Sequence, residues 1–339
     1  MLRTILDRLI YNDVYQIIDE NLTDANVGGR KGRNSRDNLF VLNAVTHSVR
    51  RGKQSACEVT IYNAEKCFDS LWAQDCLNDL YDAGVVDDKL VLQQLGTQGI
   101  TERINIPNII MQGGVFGSIK CTTSIDKLFK EVYSRPELIY MYKGVAAVPL
   151  LLMVDDILTI SKCSPTAIAL NSTVNAFMES KKLTLSHKKC LAIHVRKYQR
   201  KFPDLKIHKE TMHRGDSSKY LGELFHNSGK SKYNIIERNA KTHGILAEIC
   251  AILNEVPLGK YRAEAGLNLR QAMFINGVLY NSEVWQGLDS TDFTMLQNID
   301  HQIRRVICNN AHSKTPIEFL YLQTGDHPLK YLLSSRRIM

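Results

Sequence analysis

Nothing in this 339-residue sequence is apolar for long enough to cross a bilayer. The longest apolar run, Val145 to Val154, is interrupted by Pro149 and falls far short of the ~20 residues that a membrane helix needs. A secretion signal is also missing from the start, where MLRTILDRLIYND mixes Arg and Asp among its apolar residues. An intracellular protein with no membrane partner is the expectation. The eight cysteines stand apart, without a single Cys-x-x-Cys pair, which argues for reduced thiols over a disulfide framework or a zinc ribbon. His187, Cys190 and His194 in HKKCLAIH come nearest to a metal cluster, but their spacing is imperfect and no fourth ligand is obvious. Three phosphate or nucleophile signatures are absent as well. GGRKGR has no Lys-Ser or Lys-Thr where a Walker loop needs it, no Gly-x-Gly-x-x-Gly opens a helix after a strand, and no Gly-x-Ser-x-Gly elbow occurs.

What is present is an ordinary globular composition, 44% hydrophobic and 23% charged, in a chain long enough for two or three packed subdomains. The net charge of +8 is unevenly spread. Between Lys181 and Lys241 there are 16 Lys or Arg against 5 Asp or Glu, so the rest of the chain is slightly acidic. A second cluster, GGRKGRNSR from Gly28 to Arg36, holds Arg30, Lys31, Arg33 and Arg36. A single basic run is usually a solvated face, but two of them at a pI near 9 make nucleic acid the leading candidate partner.

Apolar spacing predicts a first helix with Ile5, Leu6, Leu9, Ile10, Val14, Ile17 and Ile18 on one face, and a second through Leu39, Val41, Leu42 and Val45. CEVTIYN reads as a strand with Val59 and Ile61 on one side, and AEKCFDSLWAQDCLNDLYDAG as one helix ending at Gly84. GITERINI is expected as a strand, MQGG as a turn, Ser118 to Tyr133 and Thr166 to Lys182 as helices, LTLSHKKCLAIHV as a strand pair or strand and turn, and KYLGELF as a short strand. Helices dominate afterwards. NIIERNAKTHGILAEICAIL begins them, and Phe293, Leu296, Ile299, Ile303 and Val306 keep helical spacing behind a cap at Asp289 or Ser290.

LLLMVDDILTI places Asp155 and Asp156 side by side between two apolar runs, where two carboxylates repel and burial penalises both. A hairpin turn with both acids in water accounts for this, and so does a site for a divalent cation. The neighbouring residues alone leave both readings open.

The order of the motifs adds a further observation. A strand runs into NAEKCFDSLW, then come MQGGVFGSIKC, LLMVDD, LTLSHKKC and KYLGELF. In that order the segments resemble the palm of reverse transcriptases, specifically those of non-LTR (LINE-type) retrotransposons, and the tail HSKTPIEFLYLQTGDHPLKYLLSSRRIM is similar to the segment beyond their thumb. The resemblance implies an α+β right-hand polymerase fold with a fingers part at residues 1–57, a palm with fingers insertions at 58–228, and a helical thumb with a C-terminal extension at 229–339. It implies RNA-directed DNA synthesis with two Mg²⁺ ions held by Asp155 and Asp156, an RNA template, a DNA primer and deoxynucleoside triphosphates (dNTPs) as partners, and a location in cytoplasm or nucleus. By position Phe68 matches the aromatic that excludes a ribose 2′-hydroxyl, Gln112 and Gly113 line the template and nucleotide pocket, Lys189 faces the leaving pyrophosphate, and Arg30, Lys31, Arg33 and Arg36 meet backbone or triphosphate. Each has a plainer reading: a core aromatic, a turn, a solvated lysine, a basic loop.

The chain departs from the pattern in three places. Asn63 occupies the position where the first palm motif begins with aspartate, and asparagine offers one neutral oxygen in place of a bridging charge. Asp69, six residues on, is a poor substitute. LVLQQLGTQGI, at Leu90 to Ile100, is shorter than its counterparts, and the chain opens inside the fingers helix. A degraded copy with impaired catalysis accounts for these, and so does a non-catalytic RNA- or DNA-binding remnant.

Overall fold

The computed structural model describes residues 2–52, 56–86, 116–196, 202–309 and 311–338. Gln112 and Gly113, the expected GITERINI strand and MQGG turn, and the short segment at 90–100 lie outside the described residues. The chain forms two compact units, Met1–Asp216 and Ser217–Met339.

The first unit is built on a five-stranded sheet in the order β4-β5-β1-β6-β9. Its central strand is β1 (Ala56–Tyr62), flanked antiparallel by β5 (Asp156–Ser161) and β6 (Leu191–Arg196), with β4 (Leu151–Met153) beyond β5 and β9 (His213–Gly215) parallel to β6. CEVTIYN forms the strand as expected, and all seven residues of β1 are buried, not Val59 and Ile61 alone. A strand covered on both faces loses the alternation that betrays a half-exposed one. The helix α1 (Leu2–Asn21) buries Val14 and Ile18 but leaves Leu9 exposed, and the side chains of Ile5, Leu6 and Ile10 lie outside those described.

α2 (Ser35–Arg51) starts at a capping box, in which the Asn34 side chain and Asp37 exchange bonds with each other's backbone, and buries Leu39, Leu42 and Val45 against the sheet. The expected long helix from Ala64 to Gly84 is instead two, α3 (Cys67–Ser70) and α4 (Ala73–Asp82). Lys66 takes left-handed backbone before α3, and Leu71 and Trp72 are extended between the two, so that Cys67, Leu71 and Cys76 can all enter one core. Gly84, at φ +88°, closes α4 as expected. Two longer helices, α5 (Gly117–Tyr133) and α6 (Ser164–Ser180), match their sequence patterns and share a core with Tyr62, Leu152, Ile157 and Ala192 of the sheet.

The short pair β2 (Tyr140–Tyr142) and β3 (Ala146–Val148) precedes β4, and the pair β7 (Lys206–Ile207) and β8 (Glu210–Thr211) precedes β9. In the second unit KYLGELF is a hairpin and not one strand: β10 (Ser217–Tyr220) and β11 (Glu223–His226) are joined by Leu221 and Gly222, both at positive φ. The helices α7 (Lys232–Asn254), α8 (Lys260–Leu269) and α10 (Ser290–Ile307) follow, with a π-helical segment (Arg270–Ile275) running into the short α9 (Asn276–Val278). α11 (Ile317–Thr324) and α12 (Leu329–Ile338) end the chain. Asp289 caps α10 through a second capping box, and Leu296, Ile299, Ile303 and Val306 form its buried stripe.

Candidate active site

The hairpin expected around the two acids is present. β4 and β5 pair from Leu151↔Leu158 to Met153↔Asp156, leaving Val154 and Asp155 as a two-residue turn with Asp156 at the start of β5. Val154 carries left-handed backbone at φ +58°, although the first turn position is one where glycine is usual and a β-branched residue is rare.

Asn63 lies at the end of β1, next to β5. Its backbone is held on three counts. The Asn63 carbonyl accepts from the Ser186 N–H at 2.8 Å, its own N–H donates to Cys190 Sγ at 3.2 Å, and Ala64 bridges Leu185. Its side-chain amide stands on the side of Asp156 and draws that carboxyl down from where burial would hold it. The other end of that side chain, Oδ1, is buried and has no hydrogen-bond partner. Such an orphaned oxygen is uncommon, because leaving an acceptor dry costs about 1–3 kcal/mol.

The carboxylates are perturbed in the same sense. Burial, and then the repulsion of Asp155, push Asp156 up to about 6, against the pull of the Asn63 amide. Burial also raises Asp155, while the positive charge of Lys189 draws it back. The exposed Lys189 sits in the Ser186–Cys190 turn, so the same turn that fixes Asn63 brings a cation within electrostatic reach of Asp155. Two strained carboxylates beside an unpartnered amide oxygen form an all-oxygen donor set that suits a hard divalent cation. Among the described residues no three His, Cys, Asp or Glu side chains converge on one point, and here the third group is the amide of Asn63.

The remaining candidates are placed unevenly. Phe68, on α3, is half-buried against the core, and Asp69 beside it is exposed. The basic loop divides. Arg30 turns inward, with Nε donating to Asp19 at 2.7 Å and its other nitrogens to the carbonyls of Thr23, Asn26 and Asp19. Lys31, Arg33 and Arg36 are exposed, Arg33 pairing with the open carboxylate of Asp24 at 2.6 Å. Two residues of the weak zinc pattern have other polar partners, His187 meeting Glu210 and the Thr211 carbonyl and Cys190 meeting Asn63, while the His194 ring packs edge-on against Phe202.

Sequence reasoning missed the part played by Cys190, whose thiol is pushed up to about 11 by burial and acts as a neutral acceptor behind Asn63. Its place in LTLSHKKC was the available signal.

The family model for reverse transcriptase (RNA-dependent DNA polymerase) matches residues 1–224. No curated protein matches the chain. Among solved structures it is similar to telomerase from Candida albicans in complex with a fragment of telomeric RNA, at 11% identity and a TM-score of 0.37 over 100% of this chain and 56% of that one. It is also similar to apo telomerase from Candida tropicalis, at 10% identity and a TM-score of 0.45 over 91% of this chain and 60% of that one. The chain therefore spans little more than half the length of either structure.

Proposed function

Since the chain belongs to the reverse transcriptase (RNA-dependent DNA polymerase) family and has its α+β polymerase fold, we propose that it is the polymerase domain of a retroelement of the non-LTR kind, with an RNA template, a DNA primer and dNTPs as partners. The observation that carries this reading is the convergence of Asn63 with Asp156 at the ends of neighbouring strands, beside the Asp155 turn. Asp155 and Asp156, with the side-chain oxygen Oδ1 of Asn63, would hold Mg²⁺. When bound, that ion supplies charge stabilisation to the attacking 3′-oxygen and to the leaving pyrophosphate. The residues present have separate tasks. The β4–β5 hairpin presents both carboxylates rigidly, Lys189 offers a positive charge on the Asp155 side, and Phe68 stands on α3, close after the end of β1. Lys31 and Arg33 offer phosphate contacts from the α1–α2 loop, and Arg36 from the first turn of α2. The motif resemblance supports the retroelement origin.

A second reading has its own observation. Asn63 brings no charge to the site, so the acids here sum to one negative charge fewer than the family's pattern supplies, as in a degraded copy whose catalysis is impaired or in a nucleic-acid-binding remnant. Primer extension by the purified chain on an RNA template, with Mg²⁺ and then Mn²⁺, separates the two. Extension that disappears in Asp155→Ala supports the polymerase. Template binding without extension, in the chain as it stands and in Asn63→Asp, supports the remnant.

A further inference from the structure

The geometry points to Gly28 as a positioning residue for the acid pair: because it has no side chain, the α1–α2 loop seats against the Met153–Val154 peptide and fixes the turn that presents Asp155. This rests on the reading of Asp155 and Asp156 as the cation site.

The reason for the glycine is space. Its backbone is not in the left-handed region, so φ does not require glycine at this position. A Cβ at residue 28 would lie 2.4 Å from the Val154 backbone nitrogen, 2.8 Å from Val154 Cγ2 and 3.1 Å from the Met153 carbonyl carbon. Two of those three atoms are main chain, which cannot rotate aside. Any side chain must therefore push the loop and the turn apart.

The loop has little freedom to yield. Leu152 donates its N–H to the Ala25 carbonyl at 3.0 Å and accepts from the Val27 N–H at 3.1 Å, so the segment continues the sheet past β4. Asn26 is fully buried. Its Nδ2 donates to the Thr122 carbonyl of α5 at 3.1 Å, and its Oδ1 accepts the Gly28 N–H at 3.2 Å. Thr122 Oγ1 then donates to the Gly28 carbonyl at 3.2 Å. Gly28 is thus clamped to α5 on one side and pressed on the turn on the other. Val154, the residue it presses, holds the left-handed backbone that immediately precedes Asp155. An unfavourable conformation of that kind persists only where its surroundings over-determine it, and the Gly28 contact is one such constraint.

The test combines position with affinity. Crystal structures of the chain and of Gly28→Ala should show the Val154–Asp155 turn displaced relative to β5 in the variant. Mn²⁺ affinity, read from the free-ion electron paramagnetic resonance signal, should fall about tenfold, the lower end of what outer-shell changes produce. Gly52→Ala serves as the control. It sets a Cβ 2.4 Å from the Ser48 carbonyl oxygen at the end of α2 and should lower the melting temperature without weakening Mn²⁺ binding. If Gly28→Ala does not fold, the double variant Gly28→Ala, Val154→Gly replaces it, since glycine accepts the left-handed backbone freely and removes Cγ2 while the main-chain clash remains. A turn found in its original place despite the added methyl overturns the inference, as does a loss of Mn²⁺ affinity matched by Gly52→Ala. Should the parent chain bind no Mn²⁺, or bind it equally well in Asp155→Ala, the polymerase reading fails, and the turn displacement alone then decides the role of Gly28.

Discussion

At the scale of single residues, Asn63 is a structural part of the site as well as a departure from the family's pattern. Near-isosteric replacement by aspartate would leave folding untouched if the side chain only faced a cation. Here the side chain also neighbours Asp156, a carboxylate pushed up to about 6 by burial and by Asp155 and drawn back by the Asn63 amide. In Asn63→Asp a donor becomes an acceptor, and three carboxylates crowd together. The expected outcome is a lower melting temperature in chelator, recovered by added Mg²⁺, because a ligand that binds only the folded state stabilises it. Primer extension should rise by about a thousandfold if the restored charge is worth ~4 kcal/mol of transition-state stabilisation. A variant that melts like the parent with and without the cation would remove the ligand role from this position. His194 gives a second prediction. Burial, then Arg196 and Arg214, hold its imidazole below the ordinary histidine range, and its buried Nε2 has no partner. The folded state therefore favours the neutral ring. That stability is present above the unfolded value of 6.5 and is lost as pH falls through the lower folded value. Melting temperature should drop on mild acidification, and His194→Gln should reduce the drop.

At the scale of elements, β9 is held to the sheet by charge as well as by its ladder. Arg214 reaches across to Glu58 of β1, with Nη1 donating to Oε2 at 2.7 Å and Nη2 to Oε1 at 3.3 Å, and the Glu58 side chain is fully buried. Burial holds Glu58 above the usual carboxylate range despite the guanidinium. Removing one partner of a buried pair strands the other, so Arg214→Met should lower the unfolding free energy by about 3 kcal/mol. Because the folded-state value of Glu58 rises further once Arg214 is gone, that loss should grow as pH rises above the unfolded carboxylate value and shrink in acid. Urea unfolding at acid and at alkaline pH measures both. Equal losses at the two pH values would mean that Glu58 stays protonated throughout.

At the scale of the molecule, the excess of cations belongs to two stretches of sequence, and the structure separates their members by task. Arg30 is spent on Asp19 and on loop carbonyls, whereas Lys31 and Arg33 are exposed. Phosphate contacts release counterions, so affinity for RNA should weaken steeply with salt, and Lys31→Gln with Arg33→Gln should flatten the slope of log affinity against log salt by about one to two. Arg30→Gln should instead lower stability and leave the slope nearly unchanged. An unaltered slope in the Lys31 and Arg33 double variant would take these cations out of the interface.

The sequence by itself determined the elements whose signals are local: the helices α5, α6 and α10 with their apolar stripes, the Asp289 cap, the Gly84 stop and the hairpin around Asp155 and Asp156. Residue types and their order also carried the family resemblance. Local patterns could not show that the run from Ala64 to Gly84 breaks at Leu71 and Trp72, because the break serves a core assembled from distant strands and helices. Nor could they show that KYLGELF folds back at Leu221 and Gly222. The site shows the same division. Sequence placed Asn63 and the two acids in one motif series, but they stand 92 and 93 positions apart in the chain, and only the pairing of β1 with β5 brings them together. The orphaned Asn63 oxygen, the inward turn of Arg30 and the seat of Gly28 under Val154 are consequences of packing, since each depends on which atoms of remote segments come within contact distance.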